Sequence, residues 1–138
     1  MNAPDVMAVP RPATLQEVAQ RSCAGEPFDL LVAEFLDAFY AAGRETKAAA
    51  ISGEPATIGV PHDAYLAAVA EHLALRFGLT VPPWVEGPSR FLATPFVAGG
   101  LENLKAILLA ESPLAFRRRQ IFVSANALSR ASEHASAG

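Results

Sequence analysis

Phe28-Asp29-Leu30-Leu31-Val32-Ala33-Glu34-Phe35-Leu36-Asp37-Ala38-Phe39-Tyr40 decides the fold class. Leu31, Phe35 and Phe39 recur every four residues, with Phe28, Val32 and Leu36 beside them, while Glu34 and Asp37 fall on the other side. One apolar stripe at a period near 3.6 is what a helix laid on a core requires. Pro27 suits the first turn of that helix, where its missing N–H would have had no partner. Gly43 reads as the stop.

Other segments repeat the pattern on both sides. Thr14 followed by Glu17 is a capping-box pair opening a short helix through about Ala24, with Leu15, Val18, Ala19 and Cys23 on its apolar side. Gly25 ends it. Arg44 to Ile51 is Ala-rich and favours helix by propensity, closed by Ser52-Gly53 and Glu54-Pro55. Pro61, His62 and Asp63 introduce a helix running to Phe77, with Asp63 as its cap or dipole partner. Its stripe is Tyr65, Leu66, Val69, Leu73 and Phe77, with Glu71 and Arg76 facing away, and Gly78-Leu79 predicts a Schellman ending. Between Leu79 and Gly100, four prolines interleave with Trp84, Phe91, Leu92, Phe96 and Val97, so the segment is irregular, with a short helix near Ser89 to Ala93. Leu101 to Glu111 returns to helical spacing. Ser112-Pro113 then restarts a helix as N-cap and first helical residue. Ile121-Phe122-Val123 has strand-like composition but no evident partner strand, and reads as an extended plug on the core. Ser124 caps a last helix from Ala125 to about Arg130.

The chain of 138 residues, 51% of them hydrophobic, is enough for one proper core and too apolar for intrinsic disorder. Its 28 alanines favour helix. The expectation is an all-α, single compact domain of about five to seven short helices spanning residues 14–131, between a flexible lead-in (1–13) and a small-residue tail (132–138). Cys23 is the only cysteine, so neither an intramolecular disulfide nor a thiolate cluster can form, and a reducing compartment fits best. The start lacks a basic n-region and an apolar run, and no stretch reaches the ~20 apolar residues of a membrane span. The localisation expected is cytoplasmic.

Ionisable groups narrow the chemistry. A net charge of −3 argues against a global grip on nucleic acid or anionic lipid. His62, His72 and His134 form no motif, and no His-Glu-x-x-His zinc pair occurs. Cys23 reads as an inert, buried helix residue. Glu34 and Asp37 lie three apart, as metal or acid/base work could use, but equally as a solvated helix face supplies, and no matching acid-rich helix completes a di-metal site. Phosphate-loop, dinucleotide, nucleophile-elbow and kinase signatures are missing. No catalytic residue, cofactor or metal ligand is assigned.

Two features stand out. Arg117-Arg118-Arg119 is the densest positive charge in the chain. Neighbours on a helix step by ~100°, so three cannot all face one flat ligand. They either complement the carbonyl end of a helix and snorkel over Phe116 and Phe122, or recognise an acidic protein surface or phosphate. Trp84, in the Pro-rich segment, is either an interface anchor or part of the core.

Three stretches carry a likeness: Glu34-Phe35-Leu36-Asp37-Ala38-Phe39-Tyr40; the helix Asp63 to Leu79 with Val81-Pro82-Pro83-Trp84-Val85; and Glu111-Ser112-Pro113-Leu114-Ala115-Phe116-Arg117-Arg118-Arg119-Gln120-Ile121-Phe122-Val123. Over roughly Phe28 to Leu128 the chain resembles a group of small bacterial helical proteins associated with a neighbouring nucleotidyltransferase-like protein of toxin–antitoxin type. The resemblance implies a partner or antitoxin-like component and supplies no catalytic residues. The function expected is therefore a non-catalytic protein–protein interaction component, docking through Arg117, Arg118, Arg119 and Trp84 with any exposed part of Val81 to Val97. The first alternative is a DNA-binding regulator with Phe28 to Tyr40 as recognition helix, although that helix offers no Lys, Arg, Asn or Gln to read bases. The second is an enzyme whose site assembles around Glu71, His72 and Arg76.

Overall fold

The capping box forms as its residues require. In the computed structural model, which describes residues 10–97, 112–124 and 128–130, the Thr14 hydroxyl accepts the Glu17 amide at 3.0 Å, and the Glu17 carboxylate reaches back to the Ala13 amide at 3.0 Å. This opens α1 (Leu15–Cys23), which buries Leu15, Val18 and Ala19. Cys23 is exposed rather than buried, because it lies in the last turn, beyond the contact with the core. Arg21 forks onto Glu26 and donates to the Pro10 carbonyl at 2.7 Å, so residues 10–13 of the expected lead-in are held against α1. Gly25, at φ 113°, turns the chain.

Pro27 stands one position outside α2 (Phe28–Ala41), as its extended N-cap rather than in its first turn. The helix buries Phe28, Leu31, Val32, Phe35, Leu36, Phe39 and Tyr40, the stripe expected. Gly43 does not end it. Ala42 is already extended, and Gly43, at an ordinary φ of −76°, is the N-cap of α3 (Arg44–Ser52). The Lys47 ammonium takes the Ala42 carbonyl at 2.6 Å, satisfying a group that a left-handed glycine turn would otherwise have served.

The central element is α4 (His62–Phe77). It buries Leu66, Val69 and Leu73 together with Ala64, Ala67, Ala68, Ala70 and Ala74, and the alanines let neighbouring segments approach on several sides. Asp63 does not cap this helix. Its carboxylate accepts the Ile58 and Gly59 amides at 2.6 and 3.1 Å and so fixes the preceding loop. Gly78, at φ 66° and ψ 32°, and the Leu79 amide on the Ala74 carbonyl at 2.8 Å complete the expected Schellman ending.

Two 3₁₀ turns follow, Pro83–Glu86 and Pro88–Arg90; the second takes the place of the helix expected near Ser89 to Ala93, since Phe91 is already extended. The plug does have a partner strand. β1 (Phe96–Val97) pairs in parallel with β2 (Ile121–Phe122), Phe96 opposite Ile121 and Val97 opposite Phe122. Two residues carry too little alternation to mark a strand in sequence. Ile121 and Val123 are buried and seal the core. Between the two strands in sequence lies α5 (Leu114–Arg117), entered through Pro113 as N-cap; Ser112 instead bonds the backbone of Val123 in both directions at 2.9 Å. The expected helix 101–111, the lead-in residues 1–9 and the tail 132–138 lie outside the described residues. Of the expected last helix only 128–130 are described, and they are not helical. The described architecture is mostly helical, with five α-helices of which α4 is one, and no described helix is long and apolar enough to cross a membrane.

Candidate functional site

The three consecutive arginines have three different fates. Arg119 is fully buried: one guanidinium nitrogen donates to Glu71 Oε1 at 2.5 Å and to the Ala115 carbonyl at 2.8 Å, and the other reaches the Val85 carbonyl at 2.8 Å. Arg118, half-exposed, donates to the same Glu71 oxygen at 2.7 Å and forks onto Glu86 at 2.9 and 3.0 Å. Arg117 is exposed. Glu71 is therefore buried as the shared counter-charge of two arginines, where the sequence had placed it facing away. One buried carboxylate serving two guanidiniums joins α4 to the 3₁₀ segment and to α5. Arg118 holds the Glu86 carboxyl below its ordinary range, and burial pulls Arg119 down against the opposing effect of Glu71.

A second buried arginine anchors the other end of the 3₁₀ segment. Arg90 donates to the Pro55 carbonyl at 2.6 Å and to Glu54 and the Asp63 carbonyl at 3.3 Å, and lies 4.9 Å from the Trp84 ring centre. Trp84 is buried, with its indole N–H on the Ile51 carbonyl at 3.1 Å. The Nε atoms of Arg90 and Arg119 are buried without a hydrogen-bond acceptor; each guanidinium instead lies over an aromatic face, Trp84 and Phe91 respectively, the latter at 4.6 Å. Of the four expected docking residues, Arg119 and Trp84 thus have internal partners, Arg118 divides its contacts between Glu71 and Glu86, and Arg117 projects from the surface.

Glu71 is engaged by Arg118 and Arg119, whereas His72 and Arg76 have other neighbours. His72 packs beside the Phe116 ring, 6.2 Å between centres, and burial, then Arg76, pushes its pKa down. Arg76 is exposed, over the rings of Tyr40 and Phe77. Among the described residues no group of three or more His, Cys, Asp or Glu side chains could hold a metal ion.

The concavity lies elsewhere. Asp29, Val32, Ala33 and Leu36 sit at i, i+3, i+4 and i+7 on α2 and form one wall of a cavity of roughly 220 Å³. Tyr65 of α4 closes one side, and Leu128 and Arg130 close the other. The strap at 128–130 is fixed by the Tyr40 hydroxyl on the Leu128 carbonyl at 2.9 Å and by Arg130 on both oxygens of Asp37 at 2.9 and 3.3 Å. The Arg130 hydrogen bond holds Asp37 below the usual carboxylate range. Among the described residues, Asp29, exposed at the rim, has neither a hydrogen bond nor an ion pair, and the Tyr65 hydroxyl has no hydrogen-bond partner. Burial, and then the charge of Asp29, pushes the Tyr65 phenol up to about 12.

Periodicity had placed Tyr65 in the core stripe and had not singled out Asp29 or Arg130. The only signal in sequence is that α2 carries apolar residues on more than one side, Val32 and Leu36 flanking the main stripe. No family model matches the chain, and neither curated proteins nor solved structures include one similar to it.

Proposed function

We propose that the chain is a cytoplasmic protein–protein interaction component, a binding partner rather than an enzyme, and that its contact surface is the groove on α2 rather than the arginine cluster. The observation that carries this is the pairing of an apolar wall (Val32, Ala33, Leu36, Leu128) with two polar groups, Asp29 and the Tyr65 hydroxyl, that have no partner among the described residues. A concave apolar wall edged by a few polar groups is the ordinary form of a binding surface. Arg118 and Arg119 meanwhile have intramolecular carboxylates, which lowers what they can offer a second molecule. The resemblance to antitoxin-like proteins makes a nucleotidyltransferase-type protein the partner we favour.

The test is co-purification of that neighbouring protein with three forms of the chain. Ala33→Trp fills the groove and is expected to abolish a stoichiometric complex that wild type and Arg117→Ala both retain. A complex that survives Ala33→Trp but is lost with Arg117→Ala returns the contact to the arginine cluster. Absence of any complex with the wild-type chain refutes the proposal.

A further inference from the structure

The chemistry of the groove specifies more than an apolar contact. Among the described residues its one charge without a partner is Asp29: Arg130 is matched by Asp37, which also has Arg11 within 4.0 Å. An anionic ligand would have to displace Asp37 from Arg130. A purely apolar one would strip water from a carboxylate and a phenol while giving them no hydrogen bond in return. A ligand with N–H donors at its tip and an aliphatic stem satisfies every surface at once, the stem lying along Val32, Leu36 and Leu128 and the tip meeting Asp29 and the Tyr65 hydroxyl.

We infer that the α2 groove accepts a lysine side chain of the partner protein, with its ammonium between the Asp29 carboxylate and the Tyr65 hydroxyl. Lysine fits better than arginine because the acceptors are one carboxylate and one hydroxyl. A compact ammonium can direct separate N–H bonds to such a pair, whereas the planar guanidinium fork is matched to two oxygens of one acid. The four-carbon stem covers apolar surface while its charged end stays at the rim, where Asp29 is exposed. Asp29 also lies in the first turn of α2, where its charge complements the helix dipole.

This inference rests on the groove being the contact surface, and its test is separable from the co-purification above. The full chain, labelled in its Val and Leu methyl groups, is titrated with N-acetyl-lysine-N′-methylamide and, in parallel, with its uncharged norleucine counterpart. The expected result is saturable shifts at Val32, Leu36 and Leu128, with the lysine compound binding about tenfold or more tightly than norleucine. Asp29→Asn removes that difference and leaves the norleucine titration unchanged, Asp29→Glu retains it, and Tyr65→Phe reduces it. Equal binding of the two compounds, or a preference that survives Asp29→Asn, overturns the lysine assignment while leaving the groove to be judged by Ala33→Trp. Shifts confined to other methyl groups overturn the assignment as well. A thermal melt of each variant confirms that Asp29, an exposed side chain, is not being tested through the fold.

Discussion

Replacing Glu71 by leucine removes the carboxylate paired with the fully buried Arg119, and its cost follows from what each guanidinium keeps. Arg118 retains Glu86 and is half in water, so its loss is small. Arg119 retains the Ala115 and Val85 carbonyls but no ion-paired carboxylate, and it is 0% exposed. Breaking a buried pair from one side costs about 3–5 kcal/mol, against a total stability of about 5–15 kcal/mol for a domain. With a urea slope of ~1–3 kcal/mol/M, the unfolding midpoint should fall by roughly 1–5 M in Glu71→Leu. Far-UV circular dichroism at neutral pH reads this directly. Glu86→Gln, which disturbs only the exposed half of the network, should cost under about 1 kcal/mol. The double variant Glu71→Leu with Arg119→Met should recover much of the loss, because no charge then remains buried alone. Equal costs for Glu71→Leu and Glu86→Gln, or no recovery in the double variant, would refute the account of Glu71 as the counter-charge that the buried arginine needs.

Three further outcomes follow from local features. Thr14→Ala deletes the acceptor of the Glu17 amide and should cost about 1 kcal/mol in the same urea assay. Gly78→Ala meets no atom within 4 Å, so its cost is left-handed backbone strain alone, about 1–2 kcal/mol; a neutral result would mean that α4 does not end in the left-handed turn described. His72 has a folded-state pKa below its unfolded value of roughly 6.5, so the unfolded chain binds the proton first. Its contribution is fully present above that value and is lost as pH falls through the folded one, a dependence that His72→Gln should flatten in urea titrations between neutral and mildly acidic pH.

The helices were legible because each announced itself twice, by an apolar stripe and by a terminus. Thr14 with Glu17 and Gly78 with Leu79 are chemical instructions confined to four or five residues, and they act as written. Pro27, Gly43 and Pro113 were placed at the right junctions but shifted in role, since whether a residue caps or begins a helix depends on a neighbour such as Lys47 supplying a hydrogen bond from elsewhere. Partnerships across long stretches of chain were not legible. Glu71 resembles any solvated helix acid until Arg118 and Arg119 arrive beside it, and nothing about Phe96-Val97 names Ile121-Phe122 as its companion. The groove escaped for the same reason. Asp29, Tyr65 and Arg130 belong to three segments whose meeting depends on the 128–130 strap, and an unpartnered hydroxyl has no signature in a sequence.

Glu71 also sets an order of events during synthesis. It leaves the ribosome 47 and 48 residues ahead of its two guanidinium partners, so for that interval the central helix carries a carboxylate it cannot shield from its own core. A nascent chain ending before Arg118 has every long helix described here and neither guanidinium with which Glu71 pairs.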